Sequence, residues 1–170
     1  SLRRIAHYDY WSDTVRRSIL LDSRADLLLY GNAERAIVDV AHRLAAGESI
    51  HNIRDVRGSA FVRKRVPDNW RVMDSTSIDV VGQVTPPVNP YVDTATASCA
   101  TQVAAAEVEE PVRFVGHIDD QDAHTVIRIP SYEQVKSDPT LYAHASRVLH
   151  KETNPYNARP LVQAHGEREL

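Results

Sequence analysis

Between Ala25 and Gly47 the spacing of apolar positions changes in mid-stretch, and the change predicts a strand, a tight turn and a helix. Leu27, Leu28, Leu29 and Tyr30 form a short, almost continuous apolar run, the pattern of a strand buried on both faces in a parallel sheet. Gly31 breaks the run, and Asn32 can cap a helix through its side-chain oxygen. Glu34 suits the same positive end. Ala33, Ala36, Ile37, Val40, Ala41 and Leu44 then fall at i, i+3, i+4, i+7, i+8 and i+11, which makes one apolar stripe. Gly47 supplies a left-handed stop. Half a βαβ unit of this kind predicts the α/β class, but it names no reaction.

Elsewhere the patterns are shorter. In residues 1–24, Leu2, Ile5 and Ala6 can mark one face of a short helix, and Ser12 or Asp13 can cap a second. Between them His7, Tyr8, Asp9, Tyr10 and Trp11 gather aromatic rims beside a His and an Asp, which suits either a pocket lining or a packed corner between helices. Val56, Phe61 and Val62 suit a short strand at a hairpin edge, with a bend at Gly58. From residue 67 to 124 helical periodicity disappears, prolines and acidic groups accumulate, and the stretch reads as a loop-rich or partly disordered insertion. Val80–Val81 and Val112 to Val115 are candidate short strands within it. Thr125 to Ile129 predicts a strand closed by Pro130. Ser131 and Gln134 then form a capping box, and Asp138–Pro139 starts a helix striped by Leu141, Ala145, Val148 and Leu149. A short Leu161–Val162 strand sits in a polar tail that carries Asn154, Asn157, Arg159, His165 and Arg168.

Composition narrows the partners. A length of 170 residues with 42% hydrophobic positions suits one domain with a sizeable core. A net charge of −3 and a pI near 6.2 make a nucleic-acid partner unlikely. Arginine outnumbers lysine 17 to 3. Arg54, Arg57, Arg63, Lys64 and Arg65 form a local positive run, which becomes an anion site only where it converges with another polar group. The single Cys99 excludes an internal disulfide and an all-cysteine metal site within this chain. It also has no neighbouring base pattern, as expected of an inert thiol. A reducing cytoplasm is the expected location. No run of about 18 apolar residues suggests a membrane partner.

Four stretches together resemble the N-terminal region of YgiQ-type radical S-adenosylmethionine proteins: SLRRIAHYDYWSD (1–13), ADLLLYGNAERAIVDVAHRLAAG (25–47), IRDVRGSAFVRK (53–64) and the segment from Ile129 to Arg168. DSTSID at 74–79 also resembles the insertion of the longer members. The resemblance implies a partial Rossmann-like, cobalamin-binding-like three-layer domain preceding a radical S-adenosylmethionine barrel. It also implies an iron-sulfur cluster and S-adenosylmethionine in that downstream part. The cluster motif of the family, Cys-x3-Cys-x2-Cys, cannot be built from one cysteine, so no cofactor or metal is expected in this segment and no catalytic residue is assigned to it. The Asp-x-His-x-x-Gly loop of cobalamin-binding domains is likewise missing from the sequence.

The expected organisation is a Rossmann-like α/β segment over 1–66, an insertion over 67–124, and strand, helices and linker over 125–170. The leading functional reading is an accessory segment that covers or completes the active site of the downstream barrel of the same chain. The alternative is a non-catalytic binding module for a small anion or a partner protein. In either case His7, Tyr10, Trp11, Arg57, Asn154, Asn157, Arg159 and His165 are the candidate ligand or interface residues. Ligand sites of open α/β sheets form outside the carboxyl ends of the strands, and two groups are expected near such ends: His7 to Trp11, after a strand that the resemblance places before Ser1, and Asn154 to Arg159, which Arg57 can join from the Gly58 bend.

Overall fold

The computed structural model describes residues 2–84, 125–153 and 158–170. The organising strand is β6 (Thr125–Ile129), whose almost uninterrupted burial follows from its run of apolar residues. It pairs in parallel with β5 (Arg71–Asp74) on one side and β7 (Leu161–His165) on the other, with Met73 opposite Ile127 and Arg128 opposite Val162. The antiparallel β8 (Arg168–Glu169) follows β7 through a two-residue turn, with Gly166 at φ 61 in its first position, where a side chain would be strained. Arg63 extends the sheet beyond β8, exchanging backbone hydrogen bonds with Glu169 at 2.8 and 2.9 Å.

Between β6 and β7 the chain forms α3 (Tyr132–Ser137) and α4 (Pro139–Lys151). Ser131 and Gln134 make the predicted capping box, and the Asp138 side chain accepts from the Thr140 N–H at 2.8 Å with Pro139 opening the helix. The pleat of β6 sorts its side chains between two cores. Ile127 and Ile129 pack with Val135, Ala145, Val148 and Leu149 of the helices and with Ile5, Ala6 and Leu20 of the N-terminal stretch. Val126 points the other way, with Val66, Val162 and Trp70. The result is a mixed α/β fold around a mostly parallel four-stranded sheet.

The N-terminal stretch departs from the two predicted helices. After a 3₁₀ turn at Leu2–Arg4, β1 (His7–Asp9) and β2 (Thr14–Arg16) form a hairpin, with His7 opposite Arg16. Asp9 explains the difference. Its carboxylate accepts from the Trp11 N–H (3.2 Å), the Ser12 hydroxyl (2.8 Å) and Arg16 Nε (2.6 Å), and such local bonds compete with a helix. The helix α1 (Ile19–Ser23) begins later and is capped by Ser18, not by Ser12 or Asp13.

The Leu27–Tyr30 run is also corrected. Only Leu28–Leu29 forms a strand, β3, which is half-buried and pairs antiparallel with β4 (Ser59–Ala60) outside the parallel sheet. The return of the chain at Gly58 sets this pairing. The Tyr30 N–H donates to the Gly58 carbonyl at 2.8 Å, and at φ 74 a Cβ on Gly58 would lie 3.0 Å from the Tyr30 oxygen. Val56, Phe61 and Val62 flank β4 and lie outside any strand.

Helix α2 (Glu34–Ala45) is present as predicted, but Ala33 stands at its N-cap without a side-chain bond, in place of Asn32. Gly47 ends it at φ 89: the Gly47 N–H reaches the Leu44 carbonyl and the Glu48 N–H the Arg43 carbonyl, both at 3.0 Å. Of its apolar stripe only Val40 is buried, while Ile37 and Leu44 are exposed. Val80–Val81 is not a strand. Cys99, Val112 to Val115, Asn154 and Asn157 lie outside the described residues.

Candidate functional site

Two polar groupings stand at the carboxyl ends of the parallel strands, one buried and one open. Beyond β5, Asp74 caps a 3₁₀ turn over Ser75–Ser77, its carboxylate accepting from the Thr76 N–H at 2.9 Å. The turn delivers Ser75 to α4, where His144 Nε2 lies 2.9 Å from the Ser75 hydroxyl and His144 Nδ1 lies 3.0 Å from Asp79 Oδ2. Asp79 also binds Arg147 Nη2 at 2.8 Å and Lys151 Nζ at 3.1 Å. Burial raises the Asp79 pKa, but the bonds from Lys151, Arg147 and His144 outweigh it and hold the carboxyl below its ordinary value.

Ser75, His144 and Asp79 therefore have the connectivity of a nucleophile, base and orienting acid. Their exposures of 2%, 0% and 6% close the group to any substrate, and Asp79 is shared with two further cations. Its role in this structure is to fasten the turn after β5 onto α4. The sequence carried the signal for it: His144, Arg147 and Lys151 recur at i, i+3 and i+7 along one line of α4, opposite the only carboxylate of the DSTSID stretch that is buried.

The open grouping lies beyond β7. A cleft of about 450 Å³ is lined by Arg17, Leu21, Glu133, His165, Gly166, Glu167 and Arg168. His165 is its anchor. The ring is stacked on Tyr132 at 5.3 Å with an interplanar angle of 10°, and Nε2 lies 3.2 Å from Gln163 Oε1. Gln163 is itself held in one orientation, because its oxygen also accepts from the Ala6 N–H at 2.7 Å and its nitrogen donates to the Pro130 carbonyl at 2.9 Å. An oxygen can only accept, so the hydrogen of the imidazole belongs on Nε2. Nδ1 is left as a bare acceptor, buried and without a partner among the described residues.

Burial, followed by the nearby Arg17 cation, pushes the His165 pKa down to about 4 against the opposing pull of Glu133 and Asp22. Glu133 is held below its ordinary range, first by its own backbone N–H and then by the Ser131 hydroxyl and the Gly166 N–H, the last at 3.0 Å. The cleft is thus lined by fixed charges of both signs around a neutral ring whose acceptor nitrogen is itself buried. Such a set can orient a polar group, but an imidazole of this pKa is a poor base near neutral pH.

The other sequence candidates are scattered. Tyr10 and Trp11 form the tip of the β1–β2 hairpin, 79% and 93% exposed, with rings 6.1 Å apart at 77°. They are an exposed tip, neither a pocket lining nor a packed corner. His7 lies in β1, its Nδ1 3.4 Å from the Ile5 carbonyl. Arg57 is exposed in the turn before β4. Arg159 precedes β7, at the opposite end of that strand from His165, and is engaged structurally. It donates to Glu152 Oε1 through Nε (3.1 Å) and Nη2 and contacts the Met73 sulfur at 3.7 Å, while its N–H reaches Glu152 Oε2 at 2.8 Å. Of the candidates among the described residues, His165 alone stands in the cleft. Sequence reasoning missed Glu133 and Arg17, which only the folding of α3 and the N-terminal stretch brings to it.

Among the described residues no group of three or more His, Cys, Asp or Glu side chains is placed to hold a metal ion, and no helix is long and apolar enough to cross a membrane. The single cysteine does not fit a three-thiolate iron-sulfur cluster.

The family model described as "Radical SAM N-terminal" matches residues 1–170. A UPF0313 protein of Pseudomonas aeruginosa is 57% identical over 173 residues, covering 98% of this chain and 23% of the relative. One from Vibrio cholerae is 55% identical over 171 residues (100% and 21%), and UPF0313 protein YgiQ of Shigella flexneri is 49% identical over 174 residues (99% and 23%). The chain thus spans between a fifth and a quarter of the length of these curated relatives. No solved structure matches it.

Proposed function

The chain belongs to the radical SAM N-terminal family, and from that premise we propose that it is an accessory segment of a cytoplasmic radical S-adenosylmethionine enzyme. In this reading it covers or completes the active site of a barrel downstream in the same protein, and it forms part of a cobalamin-binding-like three-layer domain. The observation that carries the reading is the family match over all 170 residues of a chain that makes up only a fifth to a quarter of its relatives. The single cysteine supports it from the other side: an iron-sulfur cluster, which supplies the electron that cleaves S-adenosylmethionine, must be held by thiolates elsewhere in the protein.

Within the segment we assign the facing edge to the carboxyl end of β7, where the His165 cleft opens, because open α/β sheets present ligands there. The test begins with anaerobic reconstitution with iron and sulfide. The full-length protein should take up a cluster and cleave S-adenosylmethionine, whereas residues 1–170 alone should take up none. Glu133→Gln and His165→Gln in the full-length protein should then lower cleavage per folded molecule. A cluster bound stoichiometrically by residues 1–170, or a full-length rate indifferent to both substitutions, would count against the reading.

A further inference from the structure

The positive run after α2 folds into something more specific than a solvated face. Arg54 and Arg63 approach the same ring: the Arg54 guanidinium carbon lies 4.3 Å from the centre of Phe61 and that of Arg63 lies 4.8 Å from it. Arg63 also lies over Trp70, at 5.7 Å. Cation–π contacts of this kind hold guanidinium planes in place without using their N–H donors. The donors are correspondingly idle. Arg54 Nη1 is buried and has no hydrogen-bond partner among the described residues, and the Arg63 side chain makes its contacts through rings.

Two cations near one ring repel one another, and both are pushed towards the neutral form, chiefly by burial. The carboxylates nearby, Glu169 for Arg63 and Asp26 for Arg54, answer them only in part. Glu169 is already committed, one oxygen to Arg128 Nη2 at 2.8 Å and the other to the Val66 N–H at 2.5 Å. Asp26 attracts Arg54 only at a distance, from an exposed position. Sharing one ring also limits the separation of the two guanidinium carbons to at most about 9 Å. An oxyanion held by charge-assisted bonds from both would sit beside the Phe61 ring, against the N–H edges of the two guanidinium groups, because at the longest separations the ring itself occupies the line between them.

We propose that Arg54 and Arg63, held by Phe61 and Trp70, form a binding site for a small oxyanion, either the phosphoryl group or the carboxylate of a metabolite. An anion placed there accepts from donors that the rings leave unused and offsets the mutual repulsion, which Asp26 and Glu169 answer only in part. Arginine at both positions matters because the planar fork can donate twice to one oxyanion while its face stays on the ring. The inference stands on these four side chains and is independent of the docking of a barrel.

Isothermal titration calorimetry of the full-length protein, with inorganic phosphate and separately with sodium acetate at constant ionic strength in chloride, tests it. Saturable binding is expected, weakened at least tenfold by Arg54→Gln and by Arg63→Gln, weakened less by Arg54→Lys, and unchanged by Arg35→Gln on α2. Circular dichroism of each variant verifies folding, and the lysine variant keeps the charge where the glutamine variant does not fold. Preference for phosphate identifies a phosphoryl group, and equal or better binding of acetate identifies a carboxylate. Absence of saturable heat with both anions, or equal binding by wild type and Arg54→Gln, overturns the site.

Discussion

The imidazole of His165 gives this chain a pH dependence that can be stated in advance. Burial keeps it neutral down to about pH 4, whereas an ordinary histidine of the unfolded chain takes a proton near pH 6.5. Between those values the unfolded state binds more protons, so stability is complete above pH 6.5 and falls as the pH drops towards 4. The expected loss is roughly 1–3 kcal/mol, and His165→Gln should flatten it. Urea unfolding between pH 7 and pH 5 keeps clear of Asp79 and Glu133, whose lowered pKa values weaken the fold only from the ordinary carboxylate range downwards, and the comparison with His165→Gln isolates this group from the other histidines. Identical slopes for wild type and variant would refute the assignment. Packing makes a second contrast between residues of one type. Ile127 is fully buried at the junction of β6 with α3 and α4, so Ile127→Ala should cost about 2–5 kcal/mol. Ile37, 60% exposed on α2, should cost within about 0.5 kcal/mol when replaced by alanine. Equal urea midpoints for the two variants would mean that β6 is not the core strand.

At the scale of elements, what was legible depended on whether the deciding interactions were local. The capping box at Ser131, the Asp138–Pro139 start and the Gly47 stop involve neighbours within a few residues, and each stands where the sequence predicts it. The Leu27–Tyr30 run misled because a short apolar run does not say which strand will pair with it; the Gly58 turn brings Ser59–Ala60 to it first. The His7–Arg16 hairpin was hidden because one carboxylate, Asp9, gathers its turn. His165 could be singled out as polar near a strand, but its cleft is made by Arg17 and Glu133, far away in sequence. Edge strand β5 was masked by the irregular composition around it, and its attachment to α4 through Asp79 is the clearest element-scale interaction to test. Asp79→Ala leaves His144 buried and two cations without their carboxylate, and should cost about 3 kcal/mol or more. Ser75→Ala removes one bond and should cost about 1–3 kcal/mol. A fluorophosphonate that labels activated serines should leave Ser75 untouched in the folded protein. Labelling, or a larger loss from Ser75→Ala than from Asp79→Ala, would contradict the structural role.

For the molecule as a whole, the distribution of exposed apolar surface bears on how it meets the rest of a longer protein. Its buried side chains are concentrated on β6, β7 and α4, while Trp11 and Tyr10 at the hairpin tip and Ile37 and Leu44 on α2 are turned outward. A Trp at 93% exposure contributes almost nothing to the stability of the segment that carries it, yet large aromatic side chains contribute strongly once a partner buries them. The hairpin is well held behind its tip: the Tyr142 hydroxyl on α4 accepts from the Tyr8 N–H at 3.0 Å, and Asp9 braces the turn. The tip therefore offers a braced apolar surface. We predict that Trp11→Ala changes the melting temperature of residues 1–170 by no more than its surface position allows, a ΔΔG within about 0.5 kcal/mol. If the tip docks as proposed, the same substitution in the full-length protein should lower S-adenosylmethionine cleavage per folded molecule and speed hydrogen exchange in β1 and β2. Arg159→Ala is the internal control. It strands Glu152, so it should destabilise residues 1–170 themselves by about 1–3 kcal/mol. If Trp11→Ala instead behaves like Arg159→Ala, losing stability in the segment while sparing cleavage per folded molecule, the tip is a structural feature and takes no part in docking.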